Sequence, residues 1–217
     1  MTVDKLKKML QKTPGTAKFL IVLIILLSIL FVCFIPSMGW YALVFLAIIG
    51  LMIYSVVKTV NNLKSIKERG QKSIDYLERN NIIESAASEY GGAQNYSFRL
   101  SEVNRLIPLF TSRKNILSNN FVFAMCSNAV ITYNDIDEVY LVNYQWVKRT
   151  KHGRIHYKND VLMIRTLDGE ELPLYNIYMC RYTKKATETL NTILAIIGEK
   201  NPDCSISSDV TETRGQV

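Results

Sequence analysis

Histidine is scarce in this chain: only His152 and His156 occur among 217 residues, and both fall in or beside one predicted hairpin tip. A Ser-His-Asp or Cys-His device needs a base held rigidly beside its nucleophile, and a basic loop tip is a poor platform for one. The two histidines also lack a carboxylate or thiol at matching spacing, so a metal pair is not indicated. The sequence therefore predicts no catalytic residue, no metal site and no enzyme.

Cofactor motifs are lacking as well. Neither G-x-G-x-x-G nor G-x-x-x-x-G-K-[ST] occurs, so a loop that cradles nucleotide phosphates is unsupported. The four cysteines (Cys33, Cys126, Cys180 and Cys204) lie far apart and form no C-x-x-C pair, which argues against a zinc ribbon and a disulfide framework. We expect no cofactor, and the cysteine pattern fits a reducing cytosol.

Charge is absent from two long apolar runs, Phe19–Ile35 and Trp40–Val57. At about 1.5 Å of rise per residue, each run as a helix nearly matches a bilayer core of roughly 30 Å. Only residues 36–39 (PSMG) separate the runs, and Trp40 with Tyr41 suits an aromatic anchor at an interface. The sequence thus predicts a hairpin of two transmembrane helices over residues 19–57, in a multi-pass cell-membrane protein that contacts the lipid bilayer.

Both flanks of this hairpin are basic. Residues 1–18 contain five lysines and one acid, and residues 58–72 contain five basic residues and one acid. Because lysine and arginine near membrane ends stay on the cytoplasmic side, both termini are predicted in the cytosol. A cleaved signal peptide is the alternative, but no small-x-small cleavage site follows the first run and a second run comes immediately. The flanks hold eight net positive charges (five minus one, twice), against +7 for the whole chain, so an anionic leaflet explains the charge and no nucleic-acid partner is expected.

Residues 58–116 are predicted to be a helical connector. Apolar residues recur at helical intervals up to about Tyr90, with Gly70 as a candidate break and Gly91-Gly92 as a stop. A further short helix is indicated around Leu106, ended or kinked by Pro108.

After Leu117 the pattern becomes that of strands. "NFVFAMC" and "AVITY" are joined through Ser127-Asn128, Glu138–Thr150 alternates as a long strand, and an Asp-Gly turn joins "VLMIRT" to "ELPLY". About five short antiparallel strands are followed by an amphipathic helix, Thr183–Ile197, whose apolar stripe is Ala186, Leu190, Ile193, Leu194 and Ile197 and which Gly198 and Pro202 end. The fold class is therefore α+β, with residues 203–217 as a polar, disordered tail.

An acidic cluster, Asp135, Asp137 and Glu138, precedes the long strand. A calcium loop of the EF-hand type needs a bidentate glutamate at its twelfth position, which here is Trp146. The cluster is therefore predicted to form a turn before the strand.

The strongest feature of the region after the hairpin is the basic segment "KRTKHGRIHYK". Five positive charges on a hairpin tip could contact anionic lipid headgroups or an acidic partner. An ordinary solvated tip, which keeps strand edges apart, is the alternative. The candidate contact residues are Lys148, Arg149, Lys151, Arg154 and Lys158.

The segments "LSNNFVFAMCSNAVITYNDIDEVYLVNY" and "DVLMIRTLDGEELPLY", with the final helix, resemble the bacterial PH-like domains. In particular the chain resembles small bacterial membrane proteins of unknown function that carry such a domain after a two-helix anchor. The resemblance covers residues 117–202 and implies a bent antiparallel sheet or partly open barrel capped by the last helix. It carries over no ligand residue.

A membrane-anchored cytosolic module with a binding or scaffolding role is the function that these patterns favour. Such a module would hold a protein partner, or a second copy of itself, at the membrane. The alternative is a module that senses anionic lipid through the basic hairpin tip.

Overall fold

The computed structural model describes residues 1–12, 21–22, 24–29, 42–100, 113–150, 153–177 and 183–210. The helices are α1 (Val3–Gln11), α2 (Ala42–Arg79), α3 (Ile83–Glu89) and α4 (Lys184–Lys200), and residues 21–22 and 24–29 are also helical. The strands are β1 (Tyr96–Arg99), β2 (Lys114–Leu117), β3 (Phe121–Ala124), β4 (Ala129–Thr132), β5 (Ile136–Thr150), β6 (Gly153–Thr166), β7 (Glu171–Ile177) and β8 (Ser205–Val210).

The strands form two four-stranded sheets, in the orders β1-β2-β3-β4 and β7-β6-β5-β8. All pairs are antiparallel except β5 with β8, which is parallel. The predicted α+β class is confirmed. The resemblance implied a single bent sheet or a partly open barrel, and among the described strands neither sheet closes into a barrel.

Strand β3 separates two hydrophobic cores, because all four of its residues are buried. Val122 and Ala124 face the core shared by both sheets and α4, while Phe121 and Phe123 face a second core formed with α1, α2 and α3. A strand covered on both faces needs an uninterrupted apolar run, which "FVFA" supplies.

Helix α4 confirms the predicted amphipathic helix. Ala186, Leu190, Ile193 and Ile197 are buried, and Leu194 packs against the same core. The Thr183 Oγ1 accepts a hydrogen bond of 3.2 Å from the Ala186 N–H at the start of the helix. The predicted end was too early, because the helix continues past Gly198 to Lys200.

The segment predicted as a helical connector, residues 58–116, is only partly helical. Helices α2 and α3 account for its first part, but β1 and the first three residues of β2 also lie within it. Gly70 does not break α2, which runs unbroken to Arg79. The helix predicted around Leu106 falls in residues 101–112, outside the described residues.

The predicted hairpin turns are confirmed only in part. Gly169 has a φ of +81° in the turn between β6 and β7, which confirms the predicted Asp-Gly turn. The β3–β4 connection is longer than the predicted two residues, since Ala124 pairs with Ala129 and the turn occupies residues 125–128. Asn128 there has a φ of +55°.

The prediction that residues 203–217 form a disordered tail is wrong for part of this segment. Residues 205–210 form β8 beside β5, with Val139 paired to Ile206. Without β8, the backbone N–H and C=O groups along this edge of β5 would have no strand partner. Any extended segment whose backbone can form these hydrogen bonds can pair there, even when its side chains are polar. Residues 211–217 lie outside the described residues.

The predicted transmembrane runs are described only in part, since residues 19–20, 23 and 30–41 lie outside the described residues. Within the described parts of the chain, no helix combines the length and the hydropathy that a bilayer crossing requires.

The Glu89 carboxylate at the end of α3 ties the helices to the β2–β3 turn. It accepts hydrogen bonds from the Ser118 hydroxyl at 2.8 Å, the Asn120 N–H at 3.0 Å and the Asn120 side-chain amide at 2.5 Å. Burial acts to raise the pKa of Glu89, but these hydrogen bonds outweigh it and lower the pKa below its usual value.

We expect Glu89→Gln to lower the free energy of unfolding at neutral pH by about 1–2 kcal/mol, because the neutral amide accepts these bonds less well. A lowered folded-state pKa gives stability that is present above the unfolded value of about 4.3 and is lost as pH falls through the folded value. The difference between wild type and variant should therefore shrink below about pH 4. Urea unfolding of the full chain at several pH values measures it. Glu84→Gln, an exposed position on the same helix, is the control, and an equal loss there would contradict the assignment.

Candidate functional site

Helix α1 packs against the C-terminal half of α2. Leu6, Leu10, Ile74 and Leu77 are fully or almost fully buried between them. Gly70 permits this contact, because a Cβ at that position would lie 2.1 Å from the Leu10 carbonyl oxygen. The two helix backbones can approach this closely only where a side chain is absent.

The C-terminal end of α1 is held by the β3–β4 turn. The Asn128 side-chain amide donates to the Leu10 carbonyl at 2.6 Å and to the Lys12 carbonyl at 3.3 Å. The Arg113 guanidinium donates to the Lys12 carbonyl at 2.5 Å and also to the Asn128 side-chain oxygen. These donors satisfy carbonyls that a helix end leaves without partners, and the positive charge of Arg113 suits the negative end of the helix dipole.

The N-terminal segment contacts α2 a second time, at a position closer to the N-terminus of α2. The Ser28 hydroxyl is 3.8 Å from the Met52 sulfur. Eighteen residues separate Leu10 from Ser28, and eighteen separate Met52 from Gly70. The N-terminal segment therefore meets α2 in the same antiparallel register at both places.

The less exposed positions of α2 recur at intervals of three and four residues. This period is that of a helix with one continuous contact seam. Moving toward the C-terminus, the buried or half-buried positions at this spacing are Ile49, Met52, Val56, Thr59, Leu63, Ile66, Gly70, Ser73 and Leu77. Arg69, Ile74 and Tyr76 are also buried or half-buried and flank this series.

Residues 47–60 of α2 carry exposed apolar side chains on the face away from this seam. Residues 21–29 also carry exposed apolar side chains. Thirteen large hydrophobic side chains are exposed among the described residues, and eleven of them lie here. Their exposed fractions reach 58% at Leu26 and 68% at Leu51. In a soluble protein, large contiguous apolar patches of this kind mark an interaction surface. The eleven are Val22, Ile25, Leu26, Leu27, Ile29, Ile48, Leu51, Ile53, Tyr54, Val57 and Val60.

The sheets fix the other end of α2 through polar contacts. Arg69 forms an ion pair with Glu170 at 2.7 Å, and the Tyr76 hydroxyl donates to Asp135 at 2.5 Å. From Val57 to Gly70 is thirteen residues, or about 20 Å of helix at 1.5 Å per residue. Helix α2 thus carries the exposed apolar surface at a fixed separation from the folded sheets.

The acidic cluster forms the predicted turn and strand. Asp135 ends a 3₁₀ turn, Tyr133–Asp135, and accepts a hydrogen bond of 2.6 Å from the Thr132 hydroxyl. Glu138 lies on β5 and pairs with Arg165 at 2.7 Å. The carboxylates are therefore used in capping and in cross-strand pairing.

The structure describes the backbone of four of the five predicted basic contact residues. Lys148 and Arg149 lie at the end of β5 and Arg154 and Lys158 on β6, while Lys151 lies outside the described residues. Arg149 is directly opposite Arg154 in the register, and Lys158 is opposite Gln145.

The hairpin formed by β5 and β6 is long. Its fifteen-residue strand β5 spans about 45 Å at roughly 3.3 Å per residue. The basic residues occupy the end far from the β6–β7 turn, where Glu170 contacts α2.

Sequence patterns missed the packing of α1 on α2 and a basic groove beside β1. Leu6 and Leu10, four residues apart, gave the local signal for the buried face of α1. No local signal connected Arg99, Lys114 and Lys185, which three different elements bring to the groove.

Comparisons with known protein families, with curated proteins and with solved structures find no match to this chain.

We expect Gly70→Ala to weaken the docking of α1, because the added methyl group would overlap the Leu10 carbonyl. Overpacking of this kind costs about 1–3 kcal/mol. Hydrogen exchange of the full chain in detergent micelles should show lost amide protection in α1. Gly50→Ala is the matched control, since a Cβ at that helical glycine meets nothing within 4 Å. Unchanged protection of α1 in Gly70→Ala would contradict the close approach.

Proposed function

We propose that this chain is a membrane-anchored cytosolic module of PH-like type with a binding or scaffolding role. In this proposal residues 19–57 form a helical hairpin in the bilayer, and the sheets with α4 form the cytosolic module. The module holds a protein partner, or a second copy of the chain, next to the membrane.

The exposed apolar side chains on residues 21–29 and 47–60 carry this proposal. Exposure of Leu26, Leu51 and their neighbours would be costly in water, at roughly 25 cal/mol for each Å² of apolar surface. In a bilayer the same side chains are in a favourable environment, and their helices satisfy their own backbone hydrogen bonds.

The position of α1 supports the proposed topology. Because α1 packs on α2 beside the sheets, the N-terminus and the module lie on the same side of any membrane that the helices between them enter. The basic residues that flank both apolar runs favour the cytoplasmic side. Both termini are therefore proposed to be cytoplasmic.

The β5–β6 hairpin supports a second candidate function, the sensing of anionic lipid. Its length of about 45 Å is greater than the roughly 20 Å of α2 between the apolar part and the sheets. Arg149 opposite Arg154 is a like-charged cross-strand pair, which an anionic surface would stabilise.

Two aspartate substitutions among the exposed apolar side chains distinguish a membrane anchor from a helical hairpin in water. Leu26→Asp with Leu51→Asp changes only exposed positions, so a hairpin in water would tolerate both. In a bilayer each aspartate costs about 3 kcal/mol on insertion scales. We expect this variant to leave the membrane fraction after carbonate extraction of cells, while the wild type remains there.

Asn61→Asp with Ser65→Asp is the matched control, because both positions are exposed on α2 beyond the apolar part. The control should stay in the membrane fraction. Equal membrane retention of the Leu26 and Leu51 double variant, or a wild-type chain that is monodisperse without detergent, would contradict the proposed anchor.

A further inference from the structure

Strand β8 occupies the edge of β5 that lies away from β6. Its first residue, Ser205, pairs with Glu138 of β5, and the two strands run parallel. The next residue, Ile206, pairs with Val139, which is fully buried. The edge of β5 is therefore a strand-binding site, and its occupant is a segment of this chain, residues 205–210.

Side chains contribute little to holding β8 in place. Ser205 is exposed, and the large apolar side chain of Ile206 is itself 46% exposed. Parallel pairing is slightly less stable per residue than antiparallel pairing, and the register here shifts between Tyr140 and Val142. The backbone hydrogen bonds to β5 are thus the main attachment, and the β8 of another copy would form the same bonds.

A contact with α4 gives the site its selectivity. A Cβ at Gly198 would lie 3.4 Å from the Cδ1 of Ile206, so the end of this side chain lies against α4 where a glycine leaves room. The site therefore recognises an extended backbone with a long apolar side chain at its second position. Because residues 205–210 carry that pattern, every copy of this chain supplies a segment that fits.

The connection between α4 and β8 is short and follows a fixed residue. Asn201 is buried and donates to the Tyr133 and Ile136 carbonyls at 2.8 and 2.9 Å, which holds the end of α4 in place. In the turn that follows, the Cys204 N–H donates to the Asn201 carbonyl at 3.2 Å. Extension of residues 202–204 would break this hydrogen bond and direct β8 away from its own β5, with a reach of about 10 Å.

We propose that two copies of this chain exchange β8, so that the β8 of each copy pairs with the β5 of the other. Exchange keeps the pairing with β5 and the contact between Ile206 and Gly198, at the cost of the turn at Cys204. The product is a two-fold symmetric dimer in which both edges are filled. The inference rests on the proposed function, since a membrane anchor would confine the copies and raise their effective concentration. It names how the module would hold a second copy of the chain.

Disulfide formation between two chains tests the exchange. Glu138→Cys and Ser205→Cys would be placed in two differently tagged full-length chains whose four native cysteines are replaced by serine, and the chains would be co-expressed in one membrane. Neighbouring strands lie about 4.8 Å apart, within the roughly 4.4–6.8 Å between Cα atoms that a disulfide allows. Arg165 retains Glu171 at 3.3 Å when Glu138 is replaced. After mild oxidation we expect a crosslinked species that contains both tags.

Two controls accompany this pair. A single chain with both substitutions should form a disulfide, which verifies that β5 and β8 still pair in this register. Lys184→Cys in place of Glu138→Cys measures random collision, because Lys184 is exposed and lies sixteen residues, or about 24 Å of helix, before the end of α4 at Lys200. We expect at least roughly tenfold less crosslinked dimer from this pair, since a disulfide requires a short separation between Cα atoms.

Several outcomes would overturn the proposal. A disulfide that forms within the chain carrying both cysteines, but not between the two tagged chains, would refute the exchange. Equal yields of dimer with the Lys184 control would refute it as well, because collision would then account for the crosslink. In either case, retention of the chain in the membrane fraction after carbonate extraction would leave the proposed anchor in place. A chain that leaves the membrane fraction but still forms the disulfide between tagged copies would refute the anchor and support the exchange.

Discussion

The close approach of α1 to α2 at Gly70 is the contact on which the rest of the arrangement depends. Gly70 lets Leu6 and Leu10 enter the same core as Phe121 and Phe123, so the beginning of the chain is packed on a sheet more than a hundred residues away. Because α2 continues unbroken from this contact to its exposed apolar part, the orientation of the sheets relative to that part is set by one helix. A proposed membrane anchor would thereby hold the module in a defined orientation, which a flexible linker would not do.

Polar contacts at each junction reinforce this arrangement. Asn128 and Arg113 hold the end of α1, Glu89 holds α3 to the β2–β3 turn, and Arg69 joins α2 to the β6–β7 turn.

The parts of the fold that the sequence predicts are those with local signals. Helix α4, the β6–β7 turn at Gly169 and the strands from Phe121 onward each carry a periodicity or a turn residue within a short segment. The missed parts depend on distant partners. Gly70 resembles a helix breaker until Leu10, sixty residues earlier, is placed against it, and "SISSDV" has a polar composition that conceals its pairing with β5. The groove unites Arg99, Lys114 and Lys185 from three elements, so no window of sequence contains it.

The proposed continuity of α2 from a lipid bilayer to the folded sheets is tested most directly by measuring the membrane depth of single positions along this helix. A nitroxide would be attached in turn at Leu51, Tyr54, Asn61 and Ser65 in a cysteine-substituted chain reconstituted in bilayers. These exposed positions span about 21 Å of helix. We expect labels at Leu51 and Tyr54 to be accessible to oxygen but not to a water-soluble nickel chelate, and labels at Asn61 and Ser65 to show the reverse. Equal accessibility of all four labels to the nickel chelate would contradict it.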